Sequence, residues 1–446
     1  MTKKDETLHQ RDFCMQLDST KKRKKITCRM DAAGKLFHTV TSPKIPCVYR
    51  LWVTMKHVVR REALQKALEN IMPRFPYYQV MVAKGFIWNK WKKVNQIPKV
   101  RPELEYPCQY IPIRDRNTFP YRIINNQNQI IIEFNHSLTD GTGALIFLKS
   151  LVAEYLTLSG ITVEDWGDIF RPDQKPKPEE MEYAYRKNFK IGIPKLPKIY
   201  KAYHIPFVRM KTGISYVTNG KMDVRDVLTL SRKHKVTLTE LLTAVYIDTL
   251  QEIMFETPSK RRKIRPIRIM VPINVRNLLP SKTMRNFTTF LGPGVDPRLG
   301  RFSFEEIIAQ VHHFKNMQVN EKYQTQQISF YVSIEINPFV GIIPNFIKRM
   351  FIRPLYKQMG ESLFSSFLTN LGQTKMPKEF NDEIIDFQVL PMYHPYFKSG
   401  LGLLTTNNFL NINFVRNIKE NIVEEKFFNK LRELGLEVQI TELFPR

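Results

Sequence analysis

Apolar residues along the chain recur with either a helical or a strand period, and the changes from one to the other set out the elements. Residues 47–58 (CVYRLWVTMKHV) have strand character. Residues 60–72 carry Leu64, Ala67, Leu68 and Ile71 at helical spacing, and Pro73 and Pro76 close that helix. Residues 77–82 and 86–91 predict a hairpin around Gly85, and 110–114 a short strand. Residues 121–124 and 129–134 pair across the polar turn Asn125-Asn126-Gln127-Asn128. The second of these, Ile130-Ile131-Ile132-Glu133-Phe134, is apolar enough for a buried strand. A helix follows with Ala144, Phe147, Leu148, Leu151, Val152 and Tyr155 on one face, stopping near Gly160.

After Gly160 the chain turns loop-like, with Pro172, Pro176, Pro178, Pro194, Pro197 and Pro206 among many lysines. A second patterned region begins near Gly213. Strands are expected over 214–218, 264–271, 364–368, 384–392, 401–407, 409–415 and 436–440. Helices are expected over 223–234, 241–255, 303–317 and 424–434. Thr237-x-x-Glu240 and Ser303-x-x-Glu306 are capping boxes, and Gly435 closes the last helix. Residues 333–358 are apolar, basic and broken by Pro338, Pro344 and Pro354. Within them 339–344 and 348–353 read as core helices split by proline in preference to an acyl channel or a membrane-facing segment.

This order predicts a mixed α/β (α+β) body. It has a basic N-terminal extension over 1–45, ordered in part near Phe13 and Leu17. A first half over 46–185, a crossover linker over 186–212 and a second half over 213–446 follow. The halves carry similar mixes of strands and helices, so a pseudo-duplicated body with a site between them is expected.

With 446 residues, 43% hydrophobic, the chain can bury a large core and is neither disordered nor collagen-like. Lys plus Arg is 69 against 42 acidic residues, a net +27. That charge invites an anionic partner, but the basic residues are spread along the chain and no zinc finger or RNP motif accompanies them. Nucleic-acid binding is therefore the weakest of the functional readings. The four cysteines, Cys14, Cys28, Cys47 and Cys108, form no C-x-x-C and lie in the first quarter. They read as free thiols, and with a polar N-terminus they point to the cytoplasm. No metal site and no spanning helix is expected.

The candidate chemistry lies at the end of the Ile130–Phe134 run, in His136-Ser137-Leu138-Thr139-Asp140-Gly141. This H-x-x-x-D-G sits between a strand and a helix, where a loop is exposed while its flanks are rigid. Val271-Pro272-Ile273-Asn274-Val275-Arg276 follows another strand. Asn274 and Arg276 either close that strand as polar residues, or Arg276 pairs with Asp140 and fixes the loop. Asp140 also suits a helix N-cap, and the two roles are compatible. Thr369-Asn370-Leu371-Gly372 would end the 364–368 strand. Asn370 is either a donor to an oxyanion or a turn residue before a glycine of positive φ.

Together these stretches resemble the CoA-dependent acyltransferase superfamily. It includes chloramphenicol acetyltransferase, plant BAHD enzymes, peptide-synthetase condensation domains and polyketide-associated acyltransferases, and the likeness is strongest to its bacterial alcohol acetyltransferase-like family. Arg74-Phe75-Pro76-Tyr77-Tyr78, Gly85-Phe86-Ile87-Trp88 and the helix around Phe427 and Phe428 extend the resemblance from about residue 45 onward. The plant D-F-G-W-G segment is absent, and Asn135 replaces the first His of the condensation-domain pair.

The resemblance implies two chloramphenicol-acetyltransferase-like halves with an active-site tunnel between them. It also implies acyl transfer from a CoA or carrier-protein thioester to an alcohol or amine. His136 would be the general base, with Asp140 beside it as the second catalytic position. Gly141, Asn274 and Asn370 would bind substrate and Arg276 would hold Asp140. Acyl-CoA or an acyl carrier protein would be co-substrate, with no bound cofactor. A monomer with possible peripheral membrane contact is expected. The alternative is a non-catalytic protein that binds a thioester or carrier protein.

Overall fold

The computed structural model describes residues 27–197, 199–258, 264–392 and 396–444. Phe13, Leu17, Cys14 and the basic run 21–25 lie outside them. The first elements are β1 (Thr27–Arg29), α1 (Ala32–Val40), β2 (Val48–Met55), α2 (Arg61–Ile71), β3 (Val80–Ala83), β4 (Lys90–Lys93), β5 (Arg101–Pro102), β6 (Tyr121–Asn126), β7 (Gln129–Asn135) and α3 (Gly141–Leu158). Next come α4 (Ala184–Lys187), β8 (Tyr216–Asp223), α5 (Val224–Lys233), α6 (Leu238–Glu256), β9 (Ile267–Asn274), β10 (Thr288–Leu291) and β11 (Gly294–Val295). The chain then runs through α7 (Phe304–Gln318), α8 (Glu321–Ile336), α9 (Pro338–Ile342), α10 (Asn345–Met359), β12 (Ser366–Thr374), α11 (Lys378–Asn381) and β13 (Ile384–Leu390). It finishes with β14 (Ser399–Thr406), β15 (Phe409–Arg416), α12 (Ile422–Glu433) and β16 (Gln439–Phe444).

A five-stranded sheet in the order β13-β2-β7-β6-β5 forms the first half. The second half is built on β10-β9-β12-β14-β15-β8-β16, with β11 added to β9. A small sheet, β1-β4-β3, covers one flank. The expected 121–134 hairpin forms, Tyr121 opposite Phe134, but the connection tightens to Gln127-Asn128 because Asn126 still pairs with Gln129. Residues 110–114 form no strand, and the last strand runs to Phe444.

The unbroken apolar run in β7 has a physical cause: the strand is buried on both faces. Ile130, Ile132 and Phe134 meet α2 and α3, whereas Ile131 joins Val48, Trp52, Val217, Phe367 and Phe444 in the layer between the halves. Glu133 shares that inner face, where Arg50 donates to it at 2.7 Å, Arg122 at 2.5 Å and the Cys108 N–H at 2.7 Å. Helix α3 is long and apolar enough to cross a membrane by length and composition, yet 67% of it is buried in the fold, as a core helix requires.

Three expectations need correcting. Strand β13, which the sequence assigns to the second half, pairs antiparallel with β2 in the first sheet. The stretch 369–372 does not end its strand. It is an irregularity within β12, whose register against β14 shifts between Asn370 and Gln373, with Gly372 at φ +79°. The stretches 339–344 and 348–353 are not core helices. Phe339, Ile342, Phe346, Met350 and Phe351 are exposed, because only one side of α9–α10 packs on the body.

Candidate active site

His136 follows the last residue of β7, and its N–H donates to the Cys47 carbonyl at 2.7 Å, which ties the loop to the start of β2. The imidazole is half-buried. It stacks on Phe37 of α1 with ring centres 4.3 Å apart and lies 4.9 Å from the Tyr49 ring.

Its Nδ1 faces Asn286 Oδ1 at 3.2 Å. The Asn286 amide nitrogen donates to the His136 carbonyl at 3.1 Å and faces Asp31 Oδ1 at 3.5 Å. Those acceptors fix the amide orientation, so its oxygen must face the ring and Nδ1 must carry the proton. The lone pair is then on Nε2. Burial lowers the His136 pKa from the ordinary 6.5, and the Asp140 charge, its own backbone and Asn286 offset this only in part. The imidazole is therefore neutral near neutrality, and neutral imidazole accepts a proton.

Asp140 is the N-cap of α3, accepting the Gly143 N–H at 3.1 Å. Its other oxygen meets Arg276 Nη2 at 2.9 Å and the Phe287 N–H at 2.8 Å. Both expected roles coexist. The carboxylate is 1% exposed and is spent on joining the halves, so it reaches the imidazole through its field rather than through a hydrogen bond. Arg276 is fixed in turn by Asn274 Oδ1 at 3.1 Å and the carbonyls of Thr283 and Arg285 at 3.1 and 2.7 Å. The segment between β9 and β10 thus reaches across and clamps the motif loop. Met284 O accepts from Thr139 Oγ1 at 2.7 Å and Tyr78 O–H at 3.1 Å.

The remaining predicted positions divide. Gly141 abuts β12: a Cβ there would lie 2.6 Å from Leu371 Cδ2, so the irregular turn of β12 rests on the start of α3. Asn274 donates to Thr142 Oγ1 at 3.3 Å, tying β9 to the same helix. Asn370 donates to Thr239 Oγ1 at 2.9 Å and accepts the Gly372 N–H at 2.7 Å. These bonds are those of the expected turn role, and they pin the start of α6.

Sequence reasoning missed Phe37, Asp31, Tyr49 and Asn286. Asp31 caps α1, accepting the Gly34 N–H at 2.6 Å, and faces Arg285. Burial raises its pKa, with Arg285 opposing. Among the described residues no group of three His, Cys, Asp or Glu could hold a metal.

Neither a family model nor a curated protein matches the chain. Solved structures do. Polyketide synthase associated protein 5 from Mycobacterium tuberculosis aligns with a TM-score of 0.57 at 15% identity, over 90% of this chain and 96% of that one. The trichothecene 15-O-acetyltransferase of Fusarium sporotrichioides aligns with a TM-score of 0.60 at 9% identity, over 94% and 96%. The starter condensation domain of rhizomide synthetase, in complex with C8-CoA and Leu-SNAC, aligns with a TM-score of 0.57 at 12% identity, over 92% and 94%. The chain therefore shares the fold of these structures, with two pseudo-duplicated halves meeting at His136.

Proposed function

We propose that this protein is an acyltransferase that moves an acyl group from a CoA or carrier-protein thioester to an alcohol or amine, with His136 as general base. The observation that carries this reading is the His136 ring. It is a neutral imidazole held at Nδ1 by Asn286 and stacked on Phe37, at the seam of the two halves. The likeness in fold to an acetyltransferase and to a condensation domain solved with an acyl-CoA supports acyl transfer as the reaction class.

In the reaction, His136 Nε2 takes the proton of the acceptor O–H or N–H as that atom attacks the thioester carbonyl. The tetrahedral intermediate expels the sulfur, the C–S bond breaks, and the imidazolium returns its proton to the thiolate. A positioned base gives roughly 10²–10⁴-fold, so orientation and electrostatics supply the rest. Asp140 and Arg276 act as positioning residues that hold the loop. A cytoplasmic setting, as expected from the sparse cysteines of the sequence, is part of the same proposal.

The test is thiol release from acyl-CoAs of increasing chain length, each with and without mixed alcohols and amines, with products identified by mass. Acceptor-dependent release supports transfer. Release independent of acceptor would reduce the reading to hydrolysis, and no release with CoA or carrier-protein thioesters would favour a non-catalytic thioester-binding protein.

A further inference from the structure

From Asn337 to Gly360 the chain holds no acidic residue and carries Lys348, Arg349, Arg353 and Lys357. Its large apolar side chains are not hidden. Phe339, Ile342, Phe346, Met350 and Phe351 are each 66–78% exposed. On α10, Phe346 and Met350 are one turn apart, and Arg349 and Arg353 flank them on the same side. Lys348 is used internally: its ammonium donates to the Ile87 carbonyl at 3.0 Å and lies 3.7 Å from the Trp88 ring centre.

The two arginines are joined by a third. Arg114 Nη2 donates to the carbonyls of His38 and Thr39 at 2.7 and 3.1 Å, and Arg353 Nη2 to Thr41 O at 3.4 Å, all at the end of α1. Among the described residues none of the three has an acidic partner, and the buried Nε of each has no hydrogen-bond partner. Burial, then the charges of Arg349 and Arg353, lower the Arg114 pKa to about 10. Three like charges gathered without a counter-ion, beside bulky exposed apolar groups, lack both an anion and a hydrocarbon phase.

We infer that α9, α10 and Arg114 form a docking surface for an anionic phospholipid bilayer. The apolar side chains enter the boundary between headgroups and acyl chains, and Arg114, Arg349 and Arg353 take lipid phosphate. Charge decides between this occupant and a second copy of the chain. A two-fold interface would press one acid-free basic face against its twin, whereas a bilayer supplies the missing charge and the apolar phase together. The inference stands apart from the proposed reaction. Its consequence for the site is geometric: α10 packs on α1, which carries the Phe37 ring stacked on His136.

The experiment is co-sedimentation of the full chain with vesicles of phosphatidylcholine, alone or with phosphatidylglycerol, at low and high salt. Wild type is expected to bind the mixed vesicles, and Phe346→Ser/Met350→Ser to lose binding at least about tenfold. Phe339→Ser/Ile342→Ser on α9 serves as an independent second variant. Arg349→Gln/Arg353→Gln is expected to lose about thirtyfold, and the same charge loss at the C-terminal end of α5 and the turn after it, Lys233→Gln/Lys235→Gln, far less. Circular dichroism confirms the fold of each variant. Equal loss in the two charge variants would overturn the inference, as would unchanged binding of both apolar variants. So would a change in the apolar variants from dimer to monomer by light scattering, which would give this face to a second copy.

Discussion

Asp140 and Arg276 meet at 2.9 Å across the seam of the two halves, with side chains 1% and 10% exposed. A carboxylate that caps a helix of one half is thereby neutralised by a guanidinium of the other. Asp140→Asn keeps a capping oxygen but leaves Arg276 buried without its counter-charge, which typically costs ~3–5 kcal/mol. Denaturant unfolding should show that loss. The double variant Asp140→Asn/Arg276→Met should lose less than the sum of the single variants, by about 0.5–3 kcal/mol. Strict additivity would mean that the pair does not couple the halves.

Two glycines in the same turn should behave differently. A Cβ on Gly143 would lie 2.3 Å from Thr139 Oγ1 and 2.7 Å from both Met284 O and Tyr78 Oη, a cage that includes backbone. At Gly141 the obstacle is the tip of the Leu371 side chain, which can turn aside. Gly143→Ala is expected to cost ~1–3 kcal/mol, and Gly141→Ala clearly less. Thermal unfolding of the two variants side by side checks the order, and the reverse order would refute the packing described for the loop.

Much of this was legible in sequence, and the reasons are local. The capping box at Thr237 and Glu240 forms as expected, with the Thr237 N–H donating to Glu240 at 2.7 Å, because four residues contain all its parts. The pairing of Asp140 with Arg276 was one of two readings of the residues, and the resemblance favoured it. The role of Asn370 did not. Its partner Thr239 lies 131 positions away, and Asn370 sits at a register shift in β12 that no local pattern marks. Asn286 lies 150 positions from His136, and Phe37 falls in a stretch that reads as a polar extension, so nothing local marks either as a neighbour of the ring. The exposure of Phe346 and Met350 was equally hidden, since apolar residues at helical spacing look the same on a core face and on an open one.

The proton inventory of the site sets a pH profile. The base works when neutral, so the rate falls as pH drops through its pKa. Because burial lowers the His136 value, the acid limb of kcat/KM should lie below pH 6.5. Asn286→Ala removes a bond that favours the charged ring and holds the tautomer. Its limb should move further to acid, with a rate loss on the order of 10²-fold. A loss of rate with an unmoved limb would assign Asn286 a packing role alone.

Glu133 governs the seam in acid. Burial pushes its carboxyl up, but Arg50 and Arg122 outweigh this and hold it below 4.5. A group lowered by folding stabilises above its unfolded pKa and ceases to do so as pH falls through the folded value. Part of the stability should therefore disappear below pH ~4.5, and Glu133→Gln, less stable near pH ~7, should show a shallower loss. Urea unfolding across that range would show it. Parallel slopes would contradict the arrangement.

The measurement closest to the central claim is acceptor-dependent thiol release by wild type and by His136→Ala at the same thioester and acceptor concentrations. The account predicts a fall of roughly 10²–10⁴-fold, with thioester binding retained. Equal release by the two proteins would show that His136 is not the base, whatever the fold.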